Sequence, residues 1–300
     1  MPVNKAQALQ YKKWLDDQAK AAWNLKDDVY QAMVQSGEIL RTNVLGQLQA
    51  FGGANDRLTP QQMRQLRQIT AREIENFRRR STIILDQGIG DIARLGSMGG
   101  DPAMPVLGLL STPGVGTSPE LTALSIAYSA DLIDDISRQT QLKINSALTR
   151  GLLGEKAPYE IIDEVDKILI TKGEKTYLNR ANSIVRTEMG RAHGLMQQAN
   201  FNEIGTDLDP ELQPYLDKRW ISNLGQPNPR PWHAELHGMT IPYDQDFDVG
   251  GEQLAYPRDP RGSAWNTINC NCDVVIDTDR LMAKMEEDEK ASIAPGIGEQ

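Results

Sequence analysis

The chain changes character near residue 205. Upstream of this point proline is rare over long stretches, and the strong helix formers Ala, Leu, Gln, Lys and Glu are abundant. Eight of the 16 prolines fall between residues 210 and 260. All three histidines, both cysteines and three of the five tryptophans lie between His193 and Cys272. This distribution predicts a helical first part and a loop-rich second part, and it directs the search for functional residues to the second.

Apolar spacing and capping signals define the helical part. Thr59, Pro60 and Gln62 supply an N-cap, a proline at the first helical position and a glutamine three residues after the cap, which together predict a helix start. Ser118 and Pro119 repeat the cap logic, and Gly205 is expected to end the last long helix. The predicted helices cover residues 5–50 as one helix or two, 60–95, 119–149, about 158–168 and 176–202.

The loop-rich part contains three short β-branched or aromatic runs, at residues 218–221, 239–241 and 274–276, separated by Pro, Gly and Asn. We interpret them as strands. The predicted fold class is therefore a mainly α N-terminal region with long amphipathic helices, followed by a small irregular α+β module.

Charge and hydropathy exclude several classes of protein. The net charge of -9 is opposite to the basic surface of a protein that binds duplex nucleic acid in bulk. No run of 18 apolar residues occurs, so an ordinary transmembrane helix is not predicted. The first residues lack the apolar segment of a secretion signal, and we therefore expect synthesis in the cytosol without a membrane partner.

Four residues with soft ligand atoms could form a metal site. His233 and His237 have the i, i+4 spacing of one helical face, and Cys270 and Cys272 could add two thiolates to complete a tetrahedral zinc set. The Cys-x-Cys spacing is shorter than the usual Cys-x2-4-Cys of zinc sites. We therefore favour the alternative, in which these side chains pack in the core without a cofactor, and keep zinc as the second interpretation.

Two groups of charged residues lie on predicted helices. Glu188 can meet Arg191 across one helical turn, in a segment that also contains Arg186 and Thr187. From spacing alone this pattern is typical of a solvated helical ion pair. The basic run at residues 78–80 is interpreted as a solvated helix face or a patch that meets an acidic partner.

No catalytic motif is present. Glu235 stands two residues after His233, whereas the zincin motif requires Glu directly after its first His. The chain also lacks a Gly-x-Ser-x-Gly elbow and a phosphate-binding P-loop. The rival enzyme hypothesis is a metal-dependent nuclease or hydrolase that uses His233, His237 and Glu235 around a bound ion.

Four short motifs, Arg186-Thr187-Glu188, Lys218-Arg219-Trp220, Arg230-Pro231-Trp232-His233 and Asn269-Cys270-Asn271-Cys272, follow one another in the order that is typical of one family. The chain resembles the phage Mu F-like head morphogenesis proteins, the minor head or minor capsid proteins of tailed bacteriophages and prophages. Asn271 between the cysteines and Trp232 before the histidine depart from the usual pattern. The residues that carry the resemblance are Arg186, Thr187, Glu188, Arg191, Lys218, Arg219, Trp220, Arg230, His233, Leu236, Gly238, Phe247, Tyr256, Pro257, Asn269, Cys270 and Cys272.

The resemblance implies a structural role and no catalytic residues. It implies a protein that acts in head (procapsid) assembly at the portal vertex, with effects on DNA packaging or ejection. Its expected partners are the portal protein and the major capsid or scaffolding protein, with weak contact to packaged DNA. The expected location is the virion head, inside or near the portal vertex, after assembly in the host cytoplasm.

The resemblance also divides the chain, and its motif residues are expected to specify the fold of the module. A third possibility is a binding module of the kind that is fused to a toxin, but residues 277–300 are too few for an effector. The predicted ranges are a helical region at 1–95, a Gly/Pro-rich linker at 96–117, the Mu F-like domain at 118–276 and a charged, flexible tail at 277–300.

Overall fold

The computed structural model describes residues 5–51, 59–97, 119–169, 177–224 and 229–293. Long helices precede a small region of short strands and helices, as the sequence predicts. The α-helices, numbered in chain order, are α1 Lys5–Phe51, α2 Pro60–Ser97, α3 Pro119–Leu152, α4 Pro158–Leu169, α5 Tyr177–Asp207, α6 Pro231–Glu235, α7 Ala264–Thr267 and α8 Asp279–Ile293. The strands are β1 Asp217–Ile221, β2 Thr240–Pro242, β3 Phe247–Val249, β4 Glu252–Leu254 and β5 Asp273–Asp277.

The chain forms two compact units. One comprises residues 1–24, 91–122 and 190–300, and the other comprises residues 25–90 and 123–189. The long helices α1, α2, α3 and α5 each contribute residues to both units, and the domains at 1–95 and 118–276 remain predictions. The predicted linker lies outside the described residues from residue 98 onward, while Gly96 and Ser97 still belong to α2.

The unit of residues 25–90 and 123–189, which we call the helical unit, is held together by the apolar faces of long helices. The predicted capping box at the start of α2 is present: the Gln62 side chain accepts from the Thr59 amide at 2.9 Å, and the Gln62 amide donates to the Thr59 hydroxyl at 3.3 Å. The apolar face of α3 passes through Ser129 and Ile133. Tyr128 lies one residue to the side of this face and is 51% exposed. Buried apolar residues of this unit include Val29, Met33, Leu40, Phe77, Leu85, Ile136, Ile144, Leu148, Ile161 and Val165.

The arginines at residues 78–80 belong to the helical unit and have local partners. Arg78 and Arg79 both donate to the Glu75 carboxylate, and these hydrogen bonds lower the pKa of Glu75 to about 2. Arg80 donates to the Ser36 hydroxyl at 3.3 Å. All three arginines therefore form hydrogen bonds to residues of the same unit.

Residues 190–293 contain the C-terminal module, which we define as the five strands with the residues that pack on them. Its sheet has the order β2-β1-β5, and both pairings are antiparallel. All three predicted strands are present. The sequence analysis missed the β3–β4 hairpin, in which Gly250 and Gly251 form a two-residue turn with φ of +63° and +91°.

Trp220 on β1 lies at the centre of the core of the module. Its side chain is 0% exposed, and its ring meets the Phe247 ring edge-on at 5.2 Å between centroids. The surrounding apolar cluster includes Phe201, Leu216, Leu236, Val249, Leu254, Tyr256, Cys270, Cys272, Val274, Ile276 and Leu281. The core therefore draws on residues from α5 to α8.

Two sequence predictions about the ends of this module are wrong. Gly205 lies inside α5, where a Cβ would come within 2.1 Å of the Tyr243 ring, so it allows close packing rather than ending the helix. Residues 279–293 of the predicted flexible tail form α8. Leu281 is fully buried and Arg280 contacts Asp217 at 3.0 Å, which explains why this charged segment is ordered.

Gly190 provides a test of the packing of the module. A Cβ at Gly190 would lie 2.2 Å from Cζ of the buried Arg258, whereas nothing lies within 4 Å of a Cβ at Gly90, a helical glycine of α2. We expect Gly190→Ala to lower the free energy of unfolding by about 1 to 3 kcal/mol through overpacking. Gly90→Ala is expected to raise it by roughly 0.5 to 1 kcal/mol, because alanine has the better helix propensity. Urea denaturation of both variants measures the two changes in the free energy of unfolding. Equal changes would contradict the close approach of Gly190 to Arg258.

Candidate metal centre

Three local segments bring His233 and the two cysteines together. His233 lies on α6, a short helix that begins with Pro231 after Arg230 in extended conformation. Cys270 and Cys272 follow a turn at Asn269, whose φ of +55° is in the left-handed region that asparagine tolerates. Cys272 directly precedes β5. The irregular backbone before the strand, rather than a regular strand, therefore sets the direction of the cysteines.

The three side chains converge on one point. His233 Nδ1 lies 3.5 Å from Cys270 Sγ and 3.4 Å from Cys272 Sγ. Their candidate ligand atoms all lie within 4.8 Å of one another, and all three residues are buried. Within the described part of the chain this is the one such group of His, Cys, Asp and Glu side chains. The group could therefore bind a metal ion, and this convergence differs from the scattered core packing that the sequence analysis favoured.

Asn266 fixes the tautomer of the His233 ring. Its amide Nδ2 donates to the Val249 carbonyl and to the Glu252 carboxylate, each at 2.9 Å, so its Oδ1 is the acceptor. Oδ1 lies 3.3 Å from His233 Nε2 and accepts from Trp232 Nε1 at 2.7 Å. Nε2 is therefore the protonated ring nitrogen, and Nδ1 turns its lone pair to the sulfurs.

The two cysteines share their protons unequally. A hydrogen bond from the Cys272 thiol lowers the pKa of Cys270 well below its usual value, while the same bond and burial raise the pKa of Cys272. The backbone amide of Cys272 also points to Cys270 Sγ at 3.5 Å. The buried Arg258 donates to the Cys270 carbonyl at 2.5 Å and adds positive charge beside this sulfur.

His237 does not join the group. Its Nδ1 accepts from the Ser222 amide at 3.1 Å, and its side chain is exposed, as is that of Glu235. The predicted four-ligand set is thus reduced to three. The rival enzyme hypothesis requires His233, His237 and Glu235 around one ion. Among the described residues, these three do not form a metal-ligand group.

The first predicted motif is partly buried on α5. Thr187 is 4% and Glu188 is 5% exposed, which differs from the solvated ion pair that spacing suggests. Arg186 stacks over the Tyr30 ring, with 4.3 Å from Cζ to the centroid. Arg191 Nε donates to the Arg258 carbonyl at 3.2 Å. These residues therefore contribute to packing within their own units.

The second predicted motif buries a lysine. Lys218 on β1 is 0% exposed, and its Nζ donates to Gln198 Oε1 at 2.8 Å and to the Ala255 carbonyl at 2.9 Å. Burial lowers the pKa of Lys218 to about 8, although the Asp246 carboxylate opposes the shift. The neighbouring Arg219 bonds the Asp277 carboxylate across the β1–β5 pair, with 2.7 Å from its Nε. The motif therefore links the sheet to α5 and to the chain before Tyr256.

The remaining motif residues form contacts that stabilise the loops. Arg230 donates to the Ile268 carbonyl at 2.8 Å, and the Gly238 amide donates to the Trp220 carbonyl at 2.8 Å with the glycine at φ +81°. Tyr256 is 5% exposed in the core cluster, and burial raises its pKa above the usual range. Pro257 is buried beside it.

Sequence reasoning missed Arg258 and Asn266, which hold the group from two sides. Arg258 is 2% exposed and has a φ of +68°, and Asn266 is 3% exposed. Their positions next to the Tyr-Pro motif and just before Asn269 are the signal that could have found them. Spacing alone could not reveal that Asn266 reaches the His233 ring.

The comparisons with known proteins give partial matches. No family model matches the chain, and no solved structure matches it. It is 26% identical over 148 residues to NAD(+)--arginine ADP-ribosyltransferase EFV of Enterococcus faecalis, a match that covers 49% of this chain and 28% of that protein. It is 36% identical over 78 residues to the uncharacterized protein YqbB of Bacillus subtilis, which covers 24% of this chain and 26% of that protein. The chain therefore spans little more than a quarter of the length of either relative.

Among the described residues, no helix combines the length and the apolar character needed to cross a bilayer.

Asn266 provides a test of the polar shell around His233. We expect Asn266→Ala to lower the free energy of unfolding by on the order of 3 kcal/mol, because several buried donors and acceptors lose their partner. The matched control is Asn43→Ala, since Asn43 makes an exposed hydrogen bond to Glu73 at 2.9 Å. That variant is expected to change stability by less than about 0.5 kcal/mol. Chemical denaturation compares the two, and an equally small effect of Asn266→Ala would contradict the assigned shell.

Lys218 predicts a pH dependence with a definite sign. The pKa of Lys218 is about 8 in the folded protein and 10.5 in the unfolded chain, so between these values the unfolded chain binds more protons. Stability therefore rises with pH in this window. Relative to Lys218→Met, the wild type is expected to gain about 2 kcal/mol between roughly pH 7.5 and 9.5. Denaturation of both proteins at both pH values measures this gain. If the wild type gains no stability relative to Lys218→Met over this range, the lowered pKa of Lys218 is contradicted.

Proposed function

We propose that the chain is a structural minor head protein of a tailed bacteriophage or prophage, which acts in head assembly at the portal vertex. The observation that carries the proposal is the burial of the family-motif residues. Lys218 and Trp220 are 0% exposed, Cys270 is 1% exposed and His233 is 3% exposed. Side chains that form the interior of a module specify its fold, whereas catalytic side chains must reach a substrate. Burial therefore favours a structural role over an enzymatic one.

The surface of the C-terminal module supports an assembly role. Trp265 is 68% exposed and stacks on Trp232 at 5.7 Å between ring centroids. Leu224 and Ile268 are 53% and 45% exposed. Exposed apolar side chains of this size are typical of protein contacts, and aromatic residues are enriched in interfaces. We assign them to contacts with the portal protein or with the major capsid or scaffolding protein.

The charge of the chain fits a position beside packaged DNA without tight binding to it. A net charge of -9 repels the phosphate backbone and supports only weak DNA contact. The proposed location is the virion head near the portal vertex, where the protein would influence DNA packaging or ejection.

The partial match to the ADP-ribosyltransferase fits a shared module. The matched 148 residues are 28% of that protein, so the activity in its name can reside in the rest of its length. The alternative function is a metal-dependent nuclease or hydrolase. The His233, Cys270 and Cys272 group is the observation that favours it, because three protein ligands leave one coordination position open in a zinc site.

The test uses the phage or prophage genome that encodes the chain. We expect mass spectrometry to detect the protein in purified virions and procapsids, and to show its loss from particles assembled without the portal protein. Trp265→Ser is expected to reduce its incorporation without changing the thermal midpoint of the purified protein, since Trp265 is exposed. The matched control is Tyr159→Ser, which alters a 70% exposed aromatic residue of the helical unit.

Two outcomes would overturn the structural proposal. The first is absence of the protein from virions and procapsids. The second is hydrolysis of DNA by the purified protein that chelator abolishes and that Cys270→Ser lacks. The second result would favour the nuclease or hydrolase alternative.

A further inference from the structure

We propose that His233, Cys270 and Cys272 bind a single Zn²⁺ ion that stabilises the C-terminal module. The inference concerns the fold of this module and does not depend on the role in head assembly. It stands on the distances between the three ligand atoms, on the tautomer of His233 and on the burial of the group.

The two distances from His233 Nδ1 to the sulfurs match edges of a zinc tetrahedron, and the three ligand atoms all lie within 4.8 Å of one another. With Zn–S of about 2.3 Å and Zn–N of about 2.0 to 2.1 Å, a tetrahedral angle separates a sulfur and a nitrogen ligand by about 3.6 Å. His233 Nδ1 lies 3.5 Å from Cys270 Sγ and 3.4 Å from Cys272 Sγ. One ion placed between the three atoms can therefore reach all of them.

The shell around His233 prepares the correct nitrogen. Metal-bound histidines usually donate their second ring N–H to a fixed acceptor, which sets both the tautomer and the ring plane. Asn266 Oδ1 is such an acceptor, because the Val249 carbonyl and the Glu252 carboxylate hold its amide nitrogen on the other side. His233 Nδ1 is thus left unprotonated and directed at the site.

The sulfurs also have the surroundings of metal ligands. The backbone amide of Cys272 points at Cys270 Sγ, an arrangement that stabilises a sulfur with negative charge. Coordination would release the remaining thiol protons to solvent, so that two thiolates balance the charge of Zn²⁺. A centre that is neutral overall suits a site whose ligands are at most 6% exposed.

The ligand types select the ion. Two thiolates and one imidazole are soft donors that favour zinc over magnesium or calcium, which prefer oxygen. The Ser222 hydroxyl beside the group is already engaged, because it donates to the His233 carbonyl and accepts from Trp220 Nε1. Three protein ligands therefore bind the ion, and the fourth position is left for water.

The first experiment measures metal content. The full chain is produced in medium with added zinc, stripped of loosely bound ions by gel filtration, and analysed by elemental mass spectrometry. We expect one zinc per chain, and at least a tenfold lower content in Cys270→Ser and Cys272→Ser. The matched control is His237→Asn, which removes an exposed imidazole outside the group and is expected to retain the zinc.

A second measurement uses the wild type alone, in case the serine variants do not fold. A mercurial thiol reagent is expected to release one zinc per chain, detected with a colorimetric chelator. Protein loaded with Co²⁺ instead is expected to show thiolate-to-cobalt charge-transfer absorption and the visible bands of a tetrahedral site.

Three results would overturn the inference. They are wild-type protein with no more zinc than the cysteine variants, one equivalent of copper in place of zinc, or loss of zinc in His237→Asn. None of them bears on incorporation into virions, so this proposal and the proposed function fail separately.

Discussion

The antiparallel pairing of β1 with β5 is the interaction on which the rest of the C-terminal module depends. It joins segments more than 50 residues apart, with Asp217 opposite Asp277 and Ile221 opposite Asp273. Ser222 directly follows β1 and donates its hydroxyl to the His233 carbonyl, while Cys272 directly precedes β5. The register therefore places the imidazole and the thiols at one end of the sheet. A slip of one residue would turn Trp220 to the opposite face and separate them.

Buried charge is the second constraint on this end of the module. The buried ammonium of Lys218 has two hydrogen-bond acceptors. The guanidinium of Arg258 donates to one carbonyl, and the Nε and Nη2 of Arg258 have no hydrogen-bond partner among the described residues. A buried guanidinium that is incompletely bonded favours negative charge nearby. The Cys270 sulfur meets that need, since Arg258 contributes to the lowered pKa of Cys270. Arg258 thus adds to the larger effect of the Cys272 thiol on the pKa of Cys270.

Local signals in the sequence predicted local structure well. Thr59 and Gln62 determined where α2 begins, and the three β-branched or aromatic runs became β1, β2 and β5, because caps and strand propensity act within a few residues. The hairpin of β3 and β4 was missed, since strands of three residues carry too little periodicity. At the site, spacing made His237 equivalent to His233. Only the tertiary contacts of Ser222 and Asn266 distinguish them, and such contacts are not written in the spacing of either histidine.

A three-ligand zinc site is usually catalytic, so its chemistry here depends on access and on a neighbouring base. The ligands are buried, and Glu235 is exposed rather than turned into the group. His237 is held by the Ser222 amide, outside the ligand set. Asn266, which contacts the His233 ring, can orient it but cannot accept a proton at neutral pH. Glu235, His237 and Asn266 therefore do not supply a general base to an ion in these surroundings. We therefore expect its effect to be on the stability of the module, and the burial that favours structural zinc is the same burial that supports the proposed structural role of the motif residues.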